Sequence, residues 1–133
     1  MEAVTSALAA IDACICVALY YRQVRSARDD IERLHMRLLD LKNVLHYIEQ
    51  LAKGSHKIQL PTTIHFLSLL KSCIQEIEYL SLRLGANKYD KASRRRWIPA
   101  LKWPFISKEV EGWIVNIEQH KKVICDALNI DSM

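Results

Sequence analysis

A regular 3-4 alternation of apolar residues constrains the fold of this chain more than any other feature. Its nine positions are Val24, Ala27, Ile31, Leu34, Leu38, Leu41, Leu45, Ile48 and Ala52. Charged residues fill many of the positions between them, as in the a/d pattern of a helix that buries one stripe against other helices. The sequence therefore predicts a long helix from about Ser26 to Lys53, which Ser26 caps and Gly54 terminates.

Two later segments also have helical periodicity. Pro61 and the two threonines after it predict the start of a helix whose apolar stripe is wide enough for two neighbours, and Gly85 ends it. Ser107 is expected to cap the last helix. Glu109 and Glu111 follow in its first turn, where carboxylates favour the positive end of the helix dipole.

The first helix is expected in the apolar segment from Ala3 to Tyr21. A helix of this length spans roughly 28 Å, close to a hydrocarbon core of about 30 Å. Asp12, near its middle, costs about 2.5 kcal/mol or more in lipid, which is too much for a constitutive anchor. Two alternatives follow: the central helix of a soluble bundle, or a helix that enters a bilayer with help. Glu2, in place of a basic n-region, argues against a signal peptide.

Four helices with short connections predict an all-α fold, an antiparallel up-down four-helix bundle with room for a short extra helix before the last one. The chain has only three glycines and three prolines, which argues against a β-rich fold with many turns. Its 133 residues predict one domain, 1–133. The first helix, the most apolar, is expected to be enclosed by the other three. The four cysteines form no CxxC pair and are expected to be reduced core residues.

The stretch from 86 to 106 combines basic and aromatic residues. Six basic residues and one acidic residue lie between Lys88 and Lys102, a density that suits phosphate groups. Pro99 prevents a long helix here. Three interpretations stay open: a nucleic-acid surface, a solvated loop with tryptophans tucked into the end of the bundle, and a membrane-surface segment.

Catalytic motifs are not visible in the sequence. It contains no phosphate-binding Gly-rich loop, no HExxH and no GxSxG. His35 and His46 share a face of the second helix, but a metal site there would need carboxylates from another helix. The sequence predicts no enzyme, no metal site, no cofactor and no small-molecule substrate.

Several segments together resemble a known family. Residues 101–105 read LKWPF after the basic run, and residues 117–121 read IEQHK in the last helix. With the apolar opening and the LxxVLxxI-like pattern of residues 41–48, they resemble the HeLo-like N-terminal domain of fungal STAND proteins. The resemblance covers the whole chain, and its most specific element is Trp103, Pro104 and Phe105.

This resemblance implies a helical effector domain at the N-terminus of a longer NLR-like protein. The family is similar to the HeLo domain of HET-S, to the four-helix bundle of the mixed-lineage kinase domain-like pseudokinase, and to the coiled-coil domains of plant resistance proteins. Such relatives imply membrane-directed programmed cell death in innate immunity and heterokaryon incompatibility. The implied mechanism is exposure of the first helix after oligomerisation, followed by membrane association or pore formation. The domain is then expected to be cytoplasmic and to move to the plasma membrane on activation.

Specific residues follow from this interpretation. The residues expected to insert into the membrane are Val4, Leu8, Ile11, Ile15, Val17, Leu19 and Tyr20. Asp12 and Glu2 are expected to line a water-filled lumen, where a carboxylate avoids most of its cost in lipid. The residues expected to bind anionic headgroups, at about 1 kcal/mol each, are Lys91, Arg94, Arg95, Arg96 and Lys102.

The expected partners are anionic phospholipids and other copies of the chain, not nucleic acid. The alternative function is a soluble signalling adaptor that binds another helical domain and never touches lipid.

Overall fold

The computed structural model describes residues 2–21, 28–52, 64–85 and 105–128. They form four α-helices and, within these ranges, no strand: α1 (Glu2–Tyr20), α2 (Arg28–Ala52), α3 (Ile64–Leu84) and α4 (Ser107–Leu128). The predicted all-α four-helix bundle is confirmed. The short extra helix allowed before α4 would fall outside the described residues.

Polar contacts give the relative direction of α1 and α2. Thr5 Oγ1 donates a hydrogen bond to Glu49 Oε2 at 3.1 Å, and Asp12 pairs with Lys42 at 2.7 Å. As the residue number rises along α1 it falls along α2, so these helices are antiparallel.

The pair α2 and α4 runs in the same direction. Arg33 Nη1 lies 2.7 Å from Glu111 Oε2, and Arg37 Nε lies 2.6 Å from Glu118 Oε1. Both residue numbers rise together, so α2 and α4 are parallel.

The pair α3 and α4 is antiparallel, because Arg83 pairs with Glu109 while Asn116 donates a hydrogen bond to Glu76. The helix α1 packs against α2 and α3, and α4 packs against the same two helices. The order around the bundle is therefore α1, α2, α4, α3. Successive helices alternate in direction as predicted, yet α2 and α3 lie on a diagonal of the bundle.

All four helices contribute to an aliphatic core. The predicted 3-4 alternation of apolar residues forms a buried seam along α2. Six of its members are described and buried: Ile31, Leu34, Leu38, Leu41, Leu45 and Ile48. Val44 and Leu51 are buried as well, which widens the seam to serve two neighbouring helices. Val24 and Ala27 lie outside the described residues, and Ala52 is exposed.

The expectation that the other helices enclose α1 is wrong. The helix occupies a corner of the ring, and Ser6, Ala9 and Cys16 on its outer side are exposed. The physical reason is the ring itself, in which each helix has two neighbours and one side toward solvent. Small residues fill that side because they lose little by staying in water.

Two helix ends can be compared with their predicted signals. Gly85 ends α3 as predicted: its φ is 71°, which suits glycine, and its N–H donates to the carbonyl of Leu82. At α4 the first helical bond runs from the Val110 N–H to the Ile106 carbonyl at 3.2 Å. Ile106 therefore holds the capping position predicted for Ser107. The Ser107 hydroxyl instead donates to Asp30 Oδ2 of α2 at 2.6 Å.

Candidate membrane-active helix

The apolar side of α1 faces the bundle. Of the seven residues predicted to insert into a membrane, five are buried in the core: Val4, Leu8, Ile11, Ile15 and Val17. Tyr20 is half-buried and Leu19 is exposed. Most of the side chains that lipid would receive are thus already covered by protein.

The length and composition of α1 suit a membrane span. Ala3–Tyr20 is the one segment within the described ranges that is long and apolar enough to cross a membrane. Length and hydropathy alone are weak evidence for a membrane span, because the core helix of a soluble protein and a signal sequence share both properties. The position of its polar residues is therefore more informative than its hydropathy.

Asp12 lies at the edge between α1 and α2. Its Oδ1 is 2.7 Å from Lys42 Nζ, and the two side chains are 55% and 29% exposed. An ion pair with this exposure stabilises a fold by about 0.2–1 kcal/mol. The hydrogen bond from Thr5 to Glu49 lies along the same edge. The central charge of α1 is thus part of a surface contact in the bundle, and α1 cannot enter lipid without losing that contact.

The other predicted site residues are only partly described. The side chain of Glu2 lies outside the described residues. So do all five residues predicted to bind anionic headgroups and two residues of the family motif: Lys91, Arg94, Arg95, Arg96, Lys102, Trp103 and Pro104.

The third motif residue, Phe105, packs at one end of the bundle. Its ring meets Trp113 edge-on, with the ring centroids 4.9 Å apart, and the Arg83 guanidinium lies 5.3 Å from the Phe105 centroid. Arg83 Nη2 also pairs with Glu109 Oε1 at 2.6 Å. This cluster fastens the start of α4 to the end of α3, so the described contacts of Phe105 are structural.

A row of charged contacts between α2 and α4 is not evident from the sequence. In addition to the Arg33 and Arg37 pairs, Lys121 lies 3.9 Å from Asp40, and its side chain is only 12% exposed. The hydrogen bond from Arg33 lowers the pKa of Glu111 and raises that of Arg33. Opposite charges on two amphipathic helices suggest such a row, but only the parallel pairing of α2 with α4 identifies its members.

A shallow cavity of about 320 Å³ opens beside this row. Its lining residues are Arg37, Asp40, Glu118, Lys121, Lys122, Cys125 and Asp126. Charges of both signs already pair with each other there, so the cavity does not select an anion or a cation. The described ranges also contain no group of three or more His, Cys, Asp or Glu residues that would hold a metal ion.

The cysteines divide into two kinds. Cys14, Cys73 and Cys125 are buried free thiols, as predicted, whereas Cys16 is exposed on the outer side of α1. The prediction that Cys16 lies in the core is therefore wrong. Because α1 is apolar on nearly all sides, its sequence does not show whether a small residue faces the core or the solvent. Burial raises the pKa of Cys73 to about 12, so this thiol stays protonated and unreactive at neutral pH.

No protein-family model, curated protein or solved structure matches this chain. The likeness to HeLo-like domains therefore stays a prediction from the quoted sequence motifs.

Proposed function

We propose that this domain is a membrane-targeting effector in fungal regulated cell death or innate immunity. In this proposal α1 leaves the bundle after oligomerisation and permeabilises the plasma membrane. One observation carries it: a helix of membrane-spanning length holds its apolar side in the core and its one central charge in a surface ion pair. The proposed partners are anionic phospholipids and other copies of the chain, and the proposed resting location is the cytoplasm.

The packing of α1 explains why such a domain would rest in a soluble form. Fully burying a large aliphatic side chain contributes about 1.5–3 kcal/mol. The five large aliphatic side chains that α1 buries together contribute about 7.5–15 kcal/mol on that scale, comparable with the whole stability of a typical domain, about 5–15 kcal/mol. The helix therefore does not leave the bundle unless lipid receives the same side chains.

The polar edge of α1 would then set the threshold for release. Transfer from a protein core to a lipid core leaves Ile11 and Leu8 in apolar surroundings, so they lose close packing rather than hydrophobic burial. Asp12 loses its contact with Lys42 and meets an insertion cost of about 2.5 kcal/mol or more. In an oligomer several copies of Asp12 would face a common water-filled lumen, which removes most of that cost.

The test is dye release from liposomes with three variants of the 133-residue chain. Lys42→Met removes the partner of Asp12 and leaves the sequence of α1 intact, so we expect faster release from anionic liposomes by about 1.4-fold to fivefold. Asp12→Asn removes the same pair and also the lumen charge, so we expect loss of cation preference in planar-bilayer recordings. Lys122→Met is the matched control, because this exposed lysine lies on α4, diagonal to α1.

Point variants are preferable to deletion of residues 1–21, which would remove one whole side of the core and unfold the bundle. Absence of binding and leakage from anionic and neutral liposomes, even with an oligomerising fusion, would refute the proposal. Unchanged cell killing and ion flux in Asp12→Asn would refute the role of Asp12 as a lumen residue.

The second candidate function is a soluble signalling adaptor. The observation in its favour is that the apolar side of α1 is already buried within the bundle, so the fold does not need lipid to cover it. An adaptor would bind its helical partner without lipid, and Lys42→Met would change only its stability.

A further inference from the structure

One side of α3 is left uncovered by the bundle. Leu67 and Leu82 are 44% and 67% exposed at its two ends. Lys71 and Glu78 lie between them, both exposed and neither in contact with a charged partner within the described residues. Two exposed leucines on either side of two opposite charges form a surface with a definite pattern.

The surface between this side of α3 and the neighbouring α1 is concave. Two shallow cavities of about 350 and 300 Å³ run between α1 and α3. Ala3 contributes to the first and Ala10 to the second, opposite Ile74 and Leu82 of α3. Because alanine has no bulk beyond Cβ, α1 does not block the approach of a helix to α3.

The pattern on α3 is complementary to itself when reversed. In an antiparallel pair of α3 helices centred between Ile74 and Gln75, Leu67 lies opposite Leu82 and Lys71 lies opposite Glu78. Two-fold symmetry repeats each pairing, so the contact contains two lysine–glutamate pairs between two leucine pairs. A parallel pair in register would instead set each lysine against a lysine.

We propose that this side of α3, residues 67–82, is the interface of an antiparallel homodimer of this chain. The partner on this surface is a second copy of the chain, because reversing the direction of α3 exchanges the positions of Lys71 and Glu78. A standard interface contains about 20–30 residues on each side, and a single helix presents fewer. The dimer is therefore weak and forms only as the protein concentration rises. As the first contact of an oligomer it rests on the proposed function, whereas the dimer itself requires no lipid. A two-fold contact closes on itself, so a larger oligomer needs a second surface.

The test is sedimentation velocity of the 133-residue chain over a wide concentration range without lipid. We expect a monomer–dimer equilibrium for the wild type and a dissociation constant raised about tenfold or more in Lys71→Glu and in Glu78→Lys, because each sets like charges opposite one another twice. The double variant with both changes restores opposite charges, and its dissociation constant returns to near the wild-type value. Rising salt should weaken the wild-type dimer.

Controls separate association from folding and from lipid activity. Lys71 and Glu78 are exposed, so circular dichroism should show an intact helical fold in all variants, and Lys122→Glu on α4 should leave the dimer unchanged. A wild type that stays monomeric at the highest concentration would overturn the proposal. So would a dimer that both single variants and the double variant form equally well. Dye release by a chain that stays monomeric without lipid would leave the proposed function standing without this interface, because oligomerisation would then use another surface on the membrane. A dimer without lipid activity would leave the interface standing alone.

Discussion

The substitution Ile11→Ala tests whether core packing restrains α1. Ile11 has no exposed surface in the bundle. Truncating a buried isoleucine to alanine costs about 2–5 kcal/mol in a core, but in a bilayer the lost insertion energy is only about 0.3–0.6 kcal/mol. The balance between packed and inserted α1 therefore shifts toward the membrane by about 1.4–4.7 kcal/mol, which is about tenfold to a few thousandfold.

Ile124→Ala is the matched control. Ile124 is equally buried, but it belongs to α4, which lies diagonally opposite α1. We expect both variants to lower the overall stability by a similar amount, whereas only Ile11→Ala weakens the packing of α1 directly. Hydrogen exchange of the α1 amides, measured by mass spectrometry beside dye release, distinguishes the two effects.

We expect Ile11→Ala to speed both α1 exchange and dye release more than Ile124→Ala does. Equal exchange in the two variants would mean that α1 opens only with the whole bundle. Slower dye release in Ile11→Ala than in the wild type would refute the reasoning, because it would show that the packing of α1 does not oppose its insertion.

Three further predictions concern the rest of the bundle. The hydrogen bond from Arg33 lowers the pKa of Glu111 from its ordinary value of 4.5, so its stabilisation is present above that value and is lost as pH falls through the lower folded pKa. As the pH is lowered from about 6 to about 3, the Tm of Glu111→Gln should therefore fall less than the Tm of the wild type. Trp113→Ala should cost about 3–5 kcal/mol in urea unfolding, because Trp113 is buried and supports Phe105. Among the described cysteines, Cys16 should react first with a thiol reagent, and Cys16→Ser should abolish the fast phase, because Cys73 stays protonated.

Each of these has an outcome that would contradict it. A Glu111→Gln variant with the same acid sensitivity as the wild type would show that the Arg33 contact does not depress the pKa of Glu111. A Trp113→Ala variant within about 1 kcal/mol of the wild type would show that the site is not close-packed. Rapid labelling of Cys73 in the folded Cys16→Ser chain would show that α3 opens readily.

The proposed function depends on polar residues of α1 as well as on its apolar ones. Ile11 and Leu8 are covered by apolar groups in either state of α1, so their hydropathy hardly distinguishes the two states, and what the bundle adds for them is close packing. Asp12 and Lys42 differ between the states, because their contact exists only in the bundle. For this reason, substitutions along the α1–α2 edge are more informative than changes of hydropathy.

The sequence by itself determined where the helices lie. Periodicity of apolar residues is a local property of the chain, since residues three and four apart share one helix face whatever surrounds them. The α2 seam and the Gly85 stop were therefore found to within a few residues, and the all-α class followed. The same local information identified the length of α1 and its one central charge.

Only the tertiary structure decided which side of each helix meets which neighbour. The alternation of helix directions follows from the order of the helices in the chain. The diagonal placement of α2 and α3 depends on how the apolar faces of all four helices pack together. That arrangement set Asp12 beside Lys42, Glu111 beside Arg33, and Cys16 in solvent. These contacts join residues that are distant in the chain, and a pattern with a period of a few residues carries no information about such distances.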